Sequence, residues 1–292
     1  MSYIYRALQQ AELENAGTSA LQDPAQATPD LFQLVGDEND WLEQVPTVKP
    51  VIRAENRMVT LNDSESLGDE KFRVLRARLL HLQDRAELKK IVITSAVPGE
   101  GKTTVASNLA ISLARHTAQK VLLLEGDLRQ PQLANKFGLP DLRGISEWFE
   151  GKELLTQFIY RIESLQLWFL PGGNPADDAL KILQSKRFAD GLNRLTGCFD
   201  WIVVDAPPLM PLADVHLWAE HADGILLVTR NGKTPKKSLL KGLEGLNSAK
   251  LLGTVLNDVL PVGGDDYGKY YRAHNRKNGN SKDQSDSTMT QP

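Results

Sequence analysis

The chain has 292 residues, 41% of them hydrophobic, which is enough apolar material for one large domain or two small ones and excludes a wholly disordered polymer. Its 34 Lys and Arg against 37 Asp and Glu leave a net charge of −3, which excludes the basic footprint of a nucleic-acid binder. One cysteine, Cys198, rules out an intrachain disulfide and a cysteine zinc site, fits a reducing compartment, and reads as a small buried side chain just before an apolar strand.

Ile4, Ala7, Leu8 and Ala11 recur at helical spacing and predict a short amphipathic helix over residues 2–15. No run approaches the ~18 apolar residues of a membrane span, and the N-terminus lacks the charge and apolar pattern of a secretory leader. Residues 17–49 turn to Gln, Asp, Pro, Thr and Ala with isolated apolar anchors such as Phe32 and Trp41, the composition of a linker. We therefore assign residues 1–60 to a short helix plus linker.

Residues 61–262 alternate β-type runs with helical stretches, with strands predicted at 90–95, 120–125, 166–170, 200–205, 224–229 and 252–257. Most of these runs lack in–out alternation, so helices are expected to cover both faces of a doubly wound, mostly parallel α/β sheet. After Pro261 the chain turns to Gly, Lys, Asn, Ser and Asp, and residues 263–292 read as a flexible tail.

The strand KIVITS runs into AVPGEGKTT and then into the helical pattern VASNLAISLARH, the order of strand, loop and helix that a phosphate-binding P-loop requires. Gly99 and Gly101 let the backbone wrap phosphate oxygens, and Pro98, Glu100 and Thr104 complete the nucleotide loop. Ala96 stands where the common form has its first glycine. Lys102 is placed to meet the β- and γ-phosphates of ATP, and the Thr103 hydroxyl to meet Mg²⁺. Magnesium normally needs carboxylates as well, and two strand ends supply them: Glu125 and Asp127 in VLLLEGDLRQP, and Asp205 in WIVVDAPP. The C-terminal ends of strands converge on the ligand crevice of an open α/β sheet, so these carboxylates should meet at the phosphates.

These residues resemble the bacterial tyrosine kinases of capsule and exopolysaccharide synthesis. The similarity spans about residues 64–262 and rests on PGEGKTT, on EGDLRQP in place of the family's D-x-D-x-R-x-P, on VVDAPP, and on LPGGNPADDAL. Glu70, Arg73 and Arg76 match its E-x-x-R-x-x-R motif, which in the family mediates ring-like oligomers. Phe72, Leu75, Leu79 and Leu82 give that helix its apolar stripe by spacing, leaving the Glu/Arg series on an adjoining face. The rival group of partition and cell-division ATPases carries a lysine where this chain has Val97.

The resemblance implies a tyrosine autokinase using ATP and Mg²⁺, with Asp127 as base, Asp205 on the metal and Asn257 at the adenine edge. It implies acceptors at Tyr267, Tyr270 and Tyr271, and a cytoplasmic protein held at the inner membrane by a transmembrane polysaccharide co-polymerase. About ten residues of flexible tether from Pro261 span ~17 Å, which brings the acceptors within range of a nearby site. Glu125 departs from the family's aspartate at a metal-binding position. The alternative is therefore an ATP-switched scaffold of the same machinery with little kinase activity.

Overall fold

Apolar runs with no alternation become four central strands buried nearly throughout: β2 (Lys90–Ser95), β3 (Val121–Glu125), β6 (Trp201–Asp205) and β7 (Gly224–Arg230). The computed structural model describes residues 41–62, 66–116, 118–163, 165–210, 214–244, 246 and 248–259. The expected helix over 2–15, Phe32, and the tail with Tyr267, Tyr270 and Tyr271 lie outside the described residues.

With β1 (Thr47–Val48), β4 (Tyr160–Ile162), β5 (Leu167–Leu170) and β8 (Leu251–Asn257), the described residues form an eight-stranded sheet in the order β1-β4-β5-β3-β6-β2-β7-β8. Its pairings are parallel except β4 with β5, so the doubly wound, mostly parallel reading holds. The six strands predicted from the sequence appear with ends displaced by at most one residue. The two that were not predicted, β1 and β4, are two and three residues long, too short to carry a period.

Burial on both faces follows from where the helices lie. On one face Ile91, Ile93, Leu123, Val203 and Val228 pack with Val105, Leu109 and Leu113 of α4 (Lys102–His116) in one core cluster. On the other, Val92, Leu122, Ile202 and Val204 are buried beside α7 (Ala179–Gln184), α8 (Lys186–Cys198) and α9 (Asp214–His221). Trp218 of α9 donates from Nε1 to the Gly126 carbonyl at 2.9 Å and meets the edge of Phe188 at 5.4 Å between ring centroids. Cys198, expected to be a small buried side chain, is half-buried at the last residue of α8.

Residues 41–60, assigned to the linker by composition, contribute to this architecture. Trp41 and Leu42 of α1 (Trp41–Gln44) are buried; the Leu42 carbonyl accepts from Trp168 Nε1 at 3.1 Å, and Trp41 stands edge-on to Phe199. Val51 N–H donates to the Phe137 carbonyl at 2.9 Å, and Met58 is fully buried ahead of α2 (Val59–Asn62). A single tryptophan in a polar stretch gives composition little weight, yet burying such a side chain stabilises by roughly 2 kcal/mol or more.

Candidate active site

The loop between β2 and α4 reverses direction over Gly99 (φ 80°) and Gly101 (φ 95°), both in the left-handed region that side chains disfavour. A Cβ at residue 101 would stand 2.1 Å from Asn257 Nδ2, so torsion favours glycine there and a side chain would also displace the Asn257 amide. Neighbouring elements hold the loop in this shape. Glu100 is buried, and its carboxylate accepts from the Val97 N–H at 3.0 Å and from the Thr234 hydroxyl. Asn257, expected at an adenine edge, donates from Nδ2 to the Glu100 carbonyl at 2.8 Å. Arg230 reaches the Gly99 carbonyl at 3.4 Å while paired with Asp258 at 2.8 Å.

The sheet register sets the carboxylates beside this loop. Asp205 at the end of β6 is the register partner of Ile93 on β2 and of Glu125 on β3. Lys102 Nζ lies 3.2 Å from Asp127 Oδ2 and 3.8 Å from Asp205 Oδ1. Burial alone lowers the Lys102 pKa, but the Asp205 and Asp127 carboxylates outweigh it and leave the ammonium above its ordinary value. Burial raises the Asp205 pKa against the pull of Lys102 and of the Thr103 hydroxyl bonded to it.

Asp205 Oδ1 is buried and has no hydrogen-bond partner. Lys102 Nζ at 3.8 Å compensates its charge but stands beyond hydrogen-bond distance, so the oxygen keeps a free lone pair, and the hard oxygen donors of Asp205, Asp127 and Thr103 suit Mg²⁺. Among the described residues no three His, Cys, Asp or Glu side chains gather as a metal cage, so water or phosphate oxygens would have to fill the shell.

Glu125 stands apart from that group. Its Oε1 accepts from the Gln132 and Leu133 N–H groups, the latter at 2.6 Å, and its Oε2 accepts from the Gly172 N–H at 3.0 Å. The extra methylene relative to aspartate lets it bridge the start of α5 (Leu133–Lys136) and the PGG loop, so its oxygens serve backbone amides. Burial pushes its pKa up to about 7, opposed by the amide donors of Leu133 and Gly172. The folded state then holds this proton more tightly than the unfolded chain does, so stability falls as pH rises from about 4.5 to about 7 and is flat above. Melting curves between pH 5 and 8 should show Glu125→Gln losing up to about 1 kcal/mol per pH unit of that slope relative to wild type.

A cavity of about 680 Å³ opens over the loop, lined by Pro98, Gly99, Gly101, Lys102, Thr103, Thr104, Asp127 and Asn257, while the buried Glu100, Glu125 and Asp205 lie behind its lining. Arg129 is fixed there by a bidentate pair with Asp214 at 2.7 and 3.2 Å. The lining also includes Arg57, Lys136 and Arg230, which no motif marks because tertiary approach alone brings them in.

The Glu70, Arg73 and Arg76 series lies on α3 (Leu67–Gln83), capped by Ser66, whose hydroxyl accepts from the Asp69 N–H at 3.1 Å. Arg73 pairs along the helix with Asp69 at 2.9 Å and Glu70 at 3.7 Å. Arg76 turns inward and donates to the Ser112 carbonyl and hydroxyl on α4 at 3.1 and 3.0 Å. Two members of the motif therefore lie outward, and the third fastens α3 to the P-loop helix.

No family model matches the chain. Tyrosine-protein kinase YwqD of Bacillus subtilis is 30% identical over 220 residues, covering 75% of this chain and 92% of that protein. The succinoglycan biosynthesis transport protein ExoP of Rhizobium meliloti is 30% identical over 205 residues, 68% of this chain but 26% of that longer protein. Among solved structures, the kinase domain of the Escherichia coli tyrosine kinase ETK superposes with a TM-score of 0.67 at 25% identity, covering 77% of this chain and 89% of that one. Among the described residues no helix is long and apolar enough to cross a membrane.

Proposed function

The chain belongs to the bacterial tyrosine-protein kinase family, and from that premise we propose that it is an ATP-dependent autokinase acting on its own tail tyrosines to regulate exopolysaccharide synthesis or export. The observation that carries this reading is the half-buried Lys102, its ammonium set between Asp127 and Asp205 at the foot of a loop with two left-handed glycines.

In the proposed reaction a tyrosine oxygen attacks the γ-phosphorus of ATP, an O–P bond forms, and the bond from that phosphorus to the β,γ-bridging oxygen breaks. ADP leaves with the electron pair. Lys102 offsets charge gathering on the transferring group, while the loop amides hold it in line. Asp127, less buried than Asp205, takes the phenolic proton, which a tyrosine of ordinary pKa about 10 would not release unaided. Thr103, Asp127 and Asp205 would hold Mg²⁺, which when bound supplies charge neutralisation across the phosphates. Glu125 is proposed at the edge of that shell, with its oxygens also accepting from the backbone amides of Gln132, Leu133 and Gly172.

Tyr267, Tyr270 and Tyr271 are the proposed acceptors, three tyrosines within five residues that follow β8 in the sequence. Glu70, Arg73 and Arg76 are proposed to act between subunits of a ring-like homo-oligomer, with Arg76 also bonded to Ser112 within its own chain. A transmembrane polysaccharide co-polymerase is the proposed partner, supported by the match to one part of the longer transport protein ExoP, and it would keep a cytoplasmic kinase at the inner membrane. Incubating the protein with Mg·ATP and mapping phosphotyrosine by mass spectrometry should find it on these three residues. Its absence there, even with the partner's cytoplasmic segment supplied, would refute the proposal.

A further inference from the structure

The turn at residues 54–57 belongs to no phosphate-binding motif, yet side chains tie it to the phosphate site from two directions. Asn108, fully buried on α4 one turn beyond Thr104, donates from Nδ2 to the carbonyls of Arg57 at 3.0 Å and Thr104 at 2.8 Å. Its Oδ1 accepts from the N–H and hydroxyl of Thr60 at 3.1 and 2.9 Å, so both ends of the amide are satisfied. From the other side Asn56 Nδ2 donates to the Lys136 carbonyl at 2.8 Å. Between these ties Arg57 sits at φ 55°, a conformation a non-glycine residue holds at some cost and only where its surroundings enforce it.

Lys136 arrives from α5, whose first amides Glu125 holds. Its Nζ lies 3.1 Å from the Thr104 hydroxyl, the last of the P-loop. Among the described residues no carboxylate forms an ion pair with Lys136 or Arg57, whereas the cavity's other cations, Lys102, Arg129 and Arg230, each have one. Burial lowers the Lys136 pKa; Asp205 pulls it up, and Lys102 and Arg57 press it further down. The cavity is thus built with cationic charge in excess of its carboxylates, an arrangement that an anion at the loop relieves.

We propose that Lys136 and Arg57 form a second cationic arm of the nucleotide site, binding the phosphate chain of a nucleoside triphosphate from the α5 side of the loop. The inference rests on the nucleotide-site reading given above. A phosphate is favoured over an acidic acceptor side chain because Lys136 stands on a P-loop hydroxyl and within the field of Lys102 and Asp205. The arm also assigns residues 54–60 a role, as one wall of the nucleotide site.

Calorimetric titration of the full chain with Mg·ATP tests this, using wild type, Lys136→Gln, Lys136→Arg and Arg57→Gln, with the melting temperature of each nucleotide-free protein as the control for folding. Loss of a charged hydrogen bond predicts that Lys136→Gln weakens ATP on the order of tenfold or more at an unchanged melting temperature, with Arg57→Gln smaller in effect. Lys136→Arg should recover most of the affinity. ATP affinity unchanged in Lys136→Gln would overturn the inference, as would an unchanged affinity with a raised KM for a tail peptide, which would make the arm an acceptor contact. Wild type failing to bind ATP would instead overturn the nucleotide reading itself, and the inference with it.

Discussion

Lys102→Met is expected to lower tyrosine phosphorylation by roughly 10²–10³-fold, the range seen when one preorganised charge or donor is removed from a transition state. The lysine has two functions in this geometry. With nucleotide it neutralises the transferring group; without it, the ammonium compensates Asp127 at 3.2 Å and the buried Asp205 at 3.8 Å. Methionine keeps the length and loses the charge, leaving two carboxylates close together with one of them deeply buried. The nucleotide-free variant should therefore also melt lower at pH 8, by a few kcal/mol in stability. Acidification protonates the raised Asp205 and removes that deficit, so the two melting temperatures should converge as pH falls. A variant that lost activity with an unchanged melting temperature at pH 8 would show that Lys102 is not what compensates the two carboxylates.

The second large effect is expected at Glu100, which a motif reading treats as one more loop residue. Its carboxylate lies inside, bonded to the Val97 N–H and the Thr234 hydroxyl, and its carbonyl accepts from Asn257. Glu100→Ala leaves the partly buried Val97 N–H without its acceptor, while the Thr234 hydroxyl keeps the Arg230 carbonyl at 3.3 Å, so a loss of roughly 1–3 kcal/mol in unfolding free energy is expected. Because the same contacts hold Gly99 and Gly101 in left-handed torsions, ATP affinity should fall on the order of tenfold as well. Thr234→Val, which removes the hydroxyl's bond to Glu100 together with its bonds to the Arg230 backbone, should reproduce part of both losses. Chemical denaturation and ATP titration read the two effects separately; affinity retained in a destabilised Glu100→Ala would show that the brace serves folding alone.

These two residues mark what was legible in the sequence. Lys102 could be read because a P-loop is contiguous and its chemistry depends on spacing along one strand–loop–helix passage. Asp127 and Asp205 could be read because apolar strands announce their own ends, and parallel strands bring those ends together. Glu125 was legible as a position and not as a role, since only the fold shows that its longer side chain reaches the amides of Gln132, Leu133 and Gly172. Thr234, Arg230, Lys136 and Arg57 reach the site through tertiary packing and leave no local pattern. Arg76 carries the right motif spacing, yet its guanidinium goes to Ser112, which spacing along one helix does not foretell. The short strands β1 and β4 and the burial of Trp41 were missed for a related reason, because β1 and Trp41 are stabilised by partners far along the chain.

The central claim is that this site moves a phosphoryl group onto tyrosine and does not merely hydrolyse ATP to switch an assembly. Following the label from γ-labelled ATP through a single turnover of the full chain with Mg²⁺ tests it most directly. Label should appear on tyrosine in wild type, with neither phosphotyrosine nor rapid phosphate release in Lys102→Met. Label recovered wholly as inorganic phosphate, with the partner's cytoplasmic segment present, would contradict it.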